Sequence, residues 1–237
     1  MPNSYFQFKQ FTIHQDQCAM KVCTDACILG AWFADKGLPE SKVLDIGAGS
    51  GLLTLMLAQK VDAQFDAIEK DAPSFKQMKE NIEQSKWKDT INAFMGDAIT
   101  YVFPQLYDFI ICNPPFYEND LKSGDTKKNL AKHDTGLTLE CLIQVIAQNL
   151  AANGSFGILL PFHRTAPFEQ LAFDKGFHLH EKLLVRQTPG HNFFRSILHF
   201  TRNNIHTGQT GELIIKQKDG NYSSAFTTLL KDYYLYL

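Results

Sequence analysis

Apolar and polar residues alternate from Tyr5 to Ile13 (YFQFKQFTI), the period of a strand or short hairpin. Thr24 has the character of a helix N-cap, with Asp25 in the first turn and ACILGAWFA as the helix body. From Lys42 the pattern becomes regular. KVLDI (42–46) predicts a short buried strand, a glycine turn follows, and LLTLMLAQK predicts a helix. QFDAIE (64–69) is the next strand, followed by a helix from about Ala72 to Ser85. TINAFM (90–95) and YDFIICN (107–113) are the third and fourth strands of this series. A polar stretch, 117–136, precedes the helix LTLECLIQVIAQNL, in which Leu139, Leu142, Ile143, Ile146 and Leu150 recur at helical spacing. SFGILLP then reads as a strand, FEQLAFDKG as a helix ending at Gly176, and HLHEKLLVRQ and NFFRSILHF as two strands joined through TPGHN. Residues 211–215 and 222–236 close the chain as a strand and a helix.

Successive βα units imply a parallel sheet with helices on both faces, and the strands joined through TPGHN have to be antiparallel. The expectation is an α/β, Rossmann-like, mostly parallel seven-stranded sheet with an antiparallel edge strand. A length of 237 residues suits a single domain over 1–237, and 44% hydrophobic residues can fill its core without a metal or disulfide staple. The start, MPNSYFQFKQFTIHQ, lacks the layout of a signal peptide, and no apolar run is long enough to span a membrane. A cytoplasmic location and no membrane contact are therefore expected. Cys18, Cys23, Cys27, Cys112 and Cys141 match no familiar zinc spacing and read as core residues, with no metal expected. A formal charge of −2 argues against binding through a broad basic surface, while leaving room for a local basic patch.

The chemistry begins at Asp45-Ile46-Gly47-Ala48-Gly49-Ser50-Gly51, between a strand end and a helix start. Glycine lets the backbone turn sharply and approach a ligand, and the helix N-terminus beyond offers free N–H groups. Glu69 ends the next strand, where a carboxylate can accept hydrogen bonds from ribose hydroxyls. Asp97, followed by Ala98, comes after the third strand and is placed to accept an adenine amine. Any of these features alone could be a tight connection or a helix cap. Together, on the carboxyl edge of a parallel sheet, they describe a nucleoside site. The Gly-x-Gly-x-Gly spacing departs from the Gly-x-Gly-x-x-Gly of dinucleotide sites.

Asn113-Pro114-Pro115-Phe116 directly follows the apolar strand FIIC. The two prolines fix the backbone and remove two donors. The Asn113 side-chain oxygen and the Pro114 carbonyl remain as a pair of acceptors. An amine conjugated to an aromatic ring is a poor nucleophile. Two acceptors gripping its hydrogens turn its lone pair outward, and Phe116 offers a face on which the base can stack. With S-adenosyl-L-methionine as donor of an activated methyl group, such a site needs alignment more than a strong base.

These segments resemble class I S-adenosylmethionine-dependent methyltransferases. They are more similar still to bacterial enzymes that methylate the N6 amine of an adenine beside the anticodon of valine tRNA. The resemblance runs through FKQFTIHQDQCAMKVCTDACILGAW, VLDIGAGSGLL, Glu69, Gly96-Asp97, NPPF, LKSGDTKKNLAKHD and RSILHF. It implies cofactor contacts from Asp45, Gly47, Gly49, Gly51, Glu69, Asp97 and Ala98, with Asn113 between cofactor and base. It also implies that Asn113, Pro114, Pro115 and Phe116 hold the target base. Lys21, Thr24 and Asp25 match a segment that closes over the methionine end of the cofactor, making 1–35 a covering element. The polar stretch holds Lys122, Lys127, Lys128, Lys132 and His133, candidates for tRNA contact despite the acids Glu118, Asp120, Asp125 and Asp134 among them. Arg164, Arg186, Arg195 and Arg202 can add to that surface if they share a face. Phe193 and Phe194 could stack on bases, although aromatics in a strand usually belong to the core.

No obligate protein partner is implied. The competing readings are protein glutamine N5-methylation, which suits the same tetrapeptide, and a catalytically silent RNA-binding module. A nicotinamide oxidoreductase leaves the tetrapeptide unexplained.

Overall fold

A two-stranded antiparallel hairpin, β1 (Tyr5–Gln7) and β2 (Thr12–His14), precedes the main sheet in a computed structural model that describes residues 3–38, 41–115, 137–203 and 208–237. Helix α1 (Thr24–Ala34) follows. It is apolar nearly all round and correspondingly buried nearly all round. Its N-cap is Cys23, not Thr24. Thr24 already has helical geometry, and no side chain caps this end.

The βα series then runs as the hydrophobic periodicity predicts. Strand β3 (Ser41–Ile46) leads to α2 (Leu52–Ala58), and β4 (Ala63–Glu69) leads to α3 (Ala72–Glu83). Asp71 caps α3 by accepting from the Ser74 N–H at 3.0 Å and from its hydroxyl at 2.7 Å. Strands β5 (Ile91–Met95) and β6 (Tyr107–Cys112) come next. Helix α4 (Leu139–Asn149), capped by the Thr138 hydroxyl, feeds a long strand, β7 (Leu150–Pro161). Leu150, expected to end the helix, starts that strand.

A 3-10 turn (Phe162–Arg164), α5 (Thr165–Asp174), β8 (His178–Arg186) and β9 (Phe193–Thr201) follow. Strand β10 (Gln209–Ile214) and α6 (Ser224–Leu230), capped by Ser223, complete the order.

The main sheet has eight strands in the order β10-β8-β9-β7-β6-β3-β4-β5, all parallel except β9. The expected fold class holds, with two corrections. The closing strand joins the same sheet, giving eight strands, and the antiparallel strand lies inside the sheet instead of at its edge. The connection through α5 carries β8 two strand positions from β7, and β9 returns into the gap, pairing antiparallel with both.

Alternating strand residues divide the core between the two faces of the sheet. Val43, Phe65, Phe109 and Ile197 pack with α1, α2 and α6 on one face. Leu44, Ile46, Ile110, Leu198 and Phe200 pack with α4 and α5 on the other. Of the cysteines, Cys27 and Cys112 are core residues. Cys18, Cys23 and Cys141 are only half-buried, a correction to the expectation for all five. Among the described residues, no helix is long and apolar enough to cross a membrane, and no three His, Cys, Asp or Glu side chains cluster to hold a metal.

Candidate active site

Strand register brings the predicted residues together. Ile46 pairs with both Ile68 and Cys112, so the residues that follow them, Gly47, Glu69 and Asn113, stand in one row along the carboxyl edge. Glu69 also pairs with Met95, which puts Gly96-Asp97 at the next strand end. Open parallel sheets hold their ligands at this edge.

The glycine loop is folded against that row. Gly47 and Ala48 N–H groups both donate to the Ile68 carbonyl at 3.0 Å, and the Gly49 N–H donates to Glu69 Oε2 at 2.9 Å. Glu69 Oε1 accepts from the Asp71 N–H at 2.8 Å. Gly47, Gly49 and Gly51 have φ of 72°, 58° and 82°, a region that residues with a Cβ rarely adopt. At Gly47 and Gly49 a Cβ would point into open space, so backbone conformation requires glycine there, not crowding by the protein. This leaves main chain bare of side chains beside the Glu69 carboxylate.

Asp45 lies beneath the loop. Its Oδ2 accepts from the Thr54 N–H at 3.2 Å and from the Thr54 hydroxyl at 2.7 Å. Its Oδ1 is buried with no hydrogen-bond partner among the described residues. Burial pushes the Asp45 carboxyl up to about 7, against the Thr54 hydrogen bonds that favour the anion, and the nearby Glu69 adds to the rise. Asn113 shows the same feature, because its Oδ1 is buried and unpaired among the described residues. An acceptor left without a donor costs stability, so each marks a place where a bound group can supply one. Pro114 is buried and Pro115 exposed. The orphaned acceptors and the bare loop fit a nucleoside-bearing cofactor with a donor group near Asp45, and a substrate amine near Asn113.

Asp97 is half-exposed, accepts from the Ile99 N–H at 3.0 Å, and has Lys70 at 3.9 Å; Ala98 is half-buried beside it. The upstream residues are more dispersed. Lys21 is exposed and donates to the Asn3 carbonyl at 3.1 Å, while the Thr24 side chain bonds Tyr234. Asp25 is held by Arg195. Phe116 and the loop residues Lys122, Lys127, Lys128, Lys132 and His133 lie outside the described residues.

Three arginines share the carboxyl edge, where Arg164 follows β7, Arg186 ends β8 and Arg195 begins β9. Arg202 follows the far end of β9 and reaches the Ala147 carbonyl instead.

Several supports went unread in the sequence. Asn81, on α3, donates to the carbonyls of His14 and Ser50, both at 2.9 Å, and accepts from the His14 N–H. It therefore ties the hairpin to the glycine loop. Cys18 neighbours Glu69, Asp71 and Ser74; burial, with those carboxylates and Asp16 adding to it, raises its thiol against the Ser74 hydrogen bond. The segment after the hairpin thus borders the loop. An interior asparagine on an amphipathic helix was the one available sign of the Asn81 link.

A parallel sheet with a central glycine loop and strand-end acids defines the class I methyltransferase fold. The Agrobacterium tumefaciens structure of a predicted O-methyltransferase, protein Atu636, shares it with a TM-score of 0.65 at 15% identity, covering 88% of this chain and 96% of that one. The methyltransferase small domain family matches residues 26–164. A tRNA1(Val) (adenine(37)-N6)-methyltransferase of Dyadobacter fermentans is 44% identical, with 98% of each chain covered. One from Bacteroides thetaiotaomicron is 37% identical, with 100% of each covered. The chain belongs to the tRNA1(Val) (adenine(37)-N6)-methyltransferase family.

Proposed function

We propose that this protein transfers a methyl group from S-adenosyl-L-methionine to the N6 amine of adenine 37 in tRNA1(Val), the activity for which its relatives are named. The observation that carries the mechanism is the buried Asn113 Oδ1, unpaired among the described residues, in the same row as Gly47 and Glu69. The cofactor, when bound, supplies a methyl carbon already activated toward a nucleophile.

The chain's own residues bind and orient. Gly47, Gly49 and Gly51 give the close backbone approach, Glu69 takes the ribose hydroxyls, and Asp97 with Ala98 borders the adenine. Asp45 supports the loop from below and offers Oδ1 to a donor. Lys21, Thr24 and Asp25, within the 1–35 segment, cover the methionine end. Asn113 Oδ1 and the Pro114 carbonyl take the two hydrogens of the target amine, and Phe116 stacks on the base. Pro115 keeps the turn stiff. This fixes the amine with its lone pair toward the methyl donor, and the surplus proton leaves to solvent after transfer. Lys122, Lys127, Lys128, Lys132 and His133 are assigned to tRNA contact. A cytoplasmic location and action without an obligate protein partner accompany this reading.

The names of the relatives favour tRNA over a protein glutamine, and the intact Asn113-Pro114 pair favours catalysis over silent binding. Purified protein with labelled cofactor, offered tRNA1(Val) transcript and release-factor protein separately, tests the reading. Label is expected in N6-methyladenosine of the tRNA; label in protein glutamine alone would overturn it.

A further inference from the structure

The carboxyl edge beyond Asn113 carries an aromatic pair that the methyl-transfer site does not use. Phe162, in the 3-10 turn at the end of β7, is a large apolar side chain left 41% exposed. Its ring centroid lies 5.5 Å from that of Phe193, the first residue of β9. The Arg186 guanidinium lies 4.8 Å from the Phe193 ring centre and pairs with Glu212. A single exposed phenylalanine is ordinary. Here two rings and a guanidinium plane adjoin.

The local backbone is built to produce this arrangement. Val185 pairs with Arg195 but the next residue, Arg186, pairs with Phe193, so Phe194 is an extra residue in the ladder. Such bulges bend a strand and re-aim side chains, and they concentrate beside active sites. Phe194 packs on the core, while Phe193 turns toward Phe162.

The pair is also well placed. Strand β7 neighbours β6, and continuing the Cys112–Ile158 pairing puts Leu159 beside Asn113. Phe162 therefore stands one strand across and three residues further out, on the order of 10 Å from Asn113 by strand spacing and rise. The nucleotides next to a base inserted at Asn113 have to cross this region.

We propose that Phe162 and Phe193, backed by Arg186, form a stacking platform for a nucleotide flanking the target adenine. The proposal rests on the reading of the protein as a tRNA adenine methyltransferase. The charges at this edge are largely engaged, Arg186 by Glu212 and Arg195 by Asp25. The platform accordingly grips a base face more than a phosphate, which agrees with a chain of net charge −2.

The test is steady-state methylation of a tRNA1(Val) anticodon stem-loop at saturating cofactor by wild type, Phe162→Leu, Phe162→Trp and the double variant Phe162→Ala/Phe193→Ala. Phe162→Leu keeps apolar bulk at an exposed position and removes only the ring. It is expected to raise the RNA KM about tenfold, with kcat and the cofactor KM within about twofold of wild type and the salt dependence unchanged. Phe162→Trp should keep the wild-type KM. A 2-aminopurine placed beside the target adenine should be quenched on binding wild type and not on binding Phe162→Leu. If wild type methylates the stem-loop while Phe162→Leu retains both KM and quenching, the platform is overturned and the activity stands. Wild type inert on both stem-loop and intact tRNA overturns the activity and the platform together.

Discussion

Arg195 Nε donates to Asp25 Oδ2 at 2.7 Å, joining the start of β9 to the first turn of α1. The Asp25 side chain is only 12% exposed, so the pair is screened less than a surface ion pair. Asp25 also faces Cys23, whose thiol is pushed up to about 12 by burial and by that carboxylate. Arg195→Ala leaves the carboxylate beside a thiol that resists ionising and without its cation. The variant should lose about 1–2 kcal/mol of stability in urea titrations and bind cofactor several-fold more weakly. Arg195→Lys should recover only part of both, because an ammonium cannot reproduce the planar fork.

Asn113→Ala removes the acceptor proposed to grip the target amine. Turnover should fall by about two to three orders of magnitude, the scale for one preorganised polar contact. Cofactor dissociation constants from calorimetry should stay within about twofold. Turnover near wild type would remove Asn113 from the mechanism.

Glu69 serves protein and ligand together, because Oε2 holds the Gly49 N–H, Oε1 holds the Asp71 N–H, and the proposed ribose contact uses the same carboxylate. Glu69→Ala should weaken cofactor binding by about tenfold or more, while Glu69→Gln, which keeps one acceptor, should lose less. Equal affinity in wild type and Glu69→Ala would exclude the ribose role.

Much of this site was legible because strand ends follow from hydrophobic periodicity. KVLDI and FIIC stop just before Gly47 and Asn113, and QFDAIE ends on Glu69, so the three could be placed on one edge. The internal position of β9 was not legible. A short turn dictates that β8 and β9 pair antiparallel, but not which of them lies nearer to β7. Asn81 and Arg195 were missed as supports because the partners of Asn81 are 31 and 67 residues away and that of Arg195 is 170 away, and no local pattern encodes such contacts. The N-cap of α1 was misplaced by one residue because hydroxyl residues favour caps only on average, and here backbone geometry selected Cys23.

The proposed contact between Asp45 and the cofactor predicts that binding depends on pH. Its folded value of about 7 lies above the ordinary carboxylate value of 3.8, so between these limits the folded protein holds a proton that the unfolded chain has lost. Its contribution to stability is therefore complete below about pH 4 and falls as pH rises toward 7. A donor supplied to Oδ1 by bound cofactor favours the anion and expels that proton. At pH 6, calorimetry in buffers of different ionisation enthalpy should find nearly one proton released by wild type and none by Asp45→Asn. Affinity should rise by up to about tenfold per pH unit below 7 and then level off.

His199 works in the opposite direction. Buried against Phe33 and His180, its ring is held down to about 3 by desolvation first, with His180 and Lys36 adding to the effect. Folded His199 is neutral, so its contribution is complete above the unfolded value of 6.5 and is lost as pH falls below it. From pH 8 to 5.5 that loss amounts to about 1.4 kcal/mol. Unfolding free energies of wild type and His199→Phe, measured across this range, should diverge by that amount, with wild type losing more on acidification.

The carboxamide of Asn81 joins three stretches of chain that lie far apart in sequence: helix α3, the hairpin and the glycine loop. Deleting the first fourteen residues would withdraw one set of its partners and leave the Ser50 carbonyl dependent on a side chain no longer held in place. The opening residues are thus a remote brace for the ligand loop. A truncation at that end would be felt, through one amide, at the Ser50 carbonyl of the glycine loop.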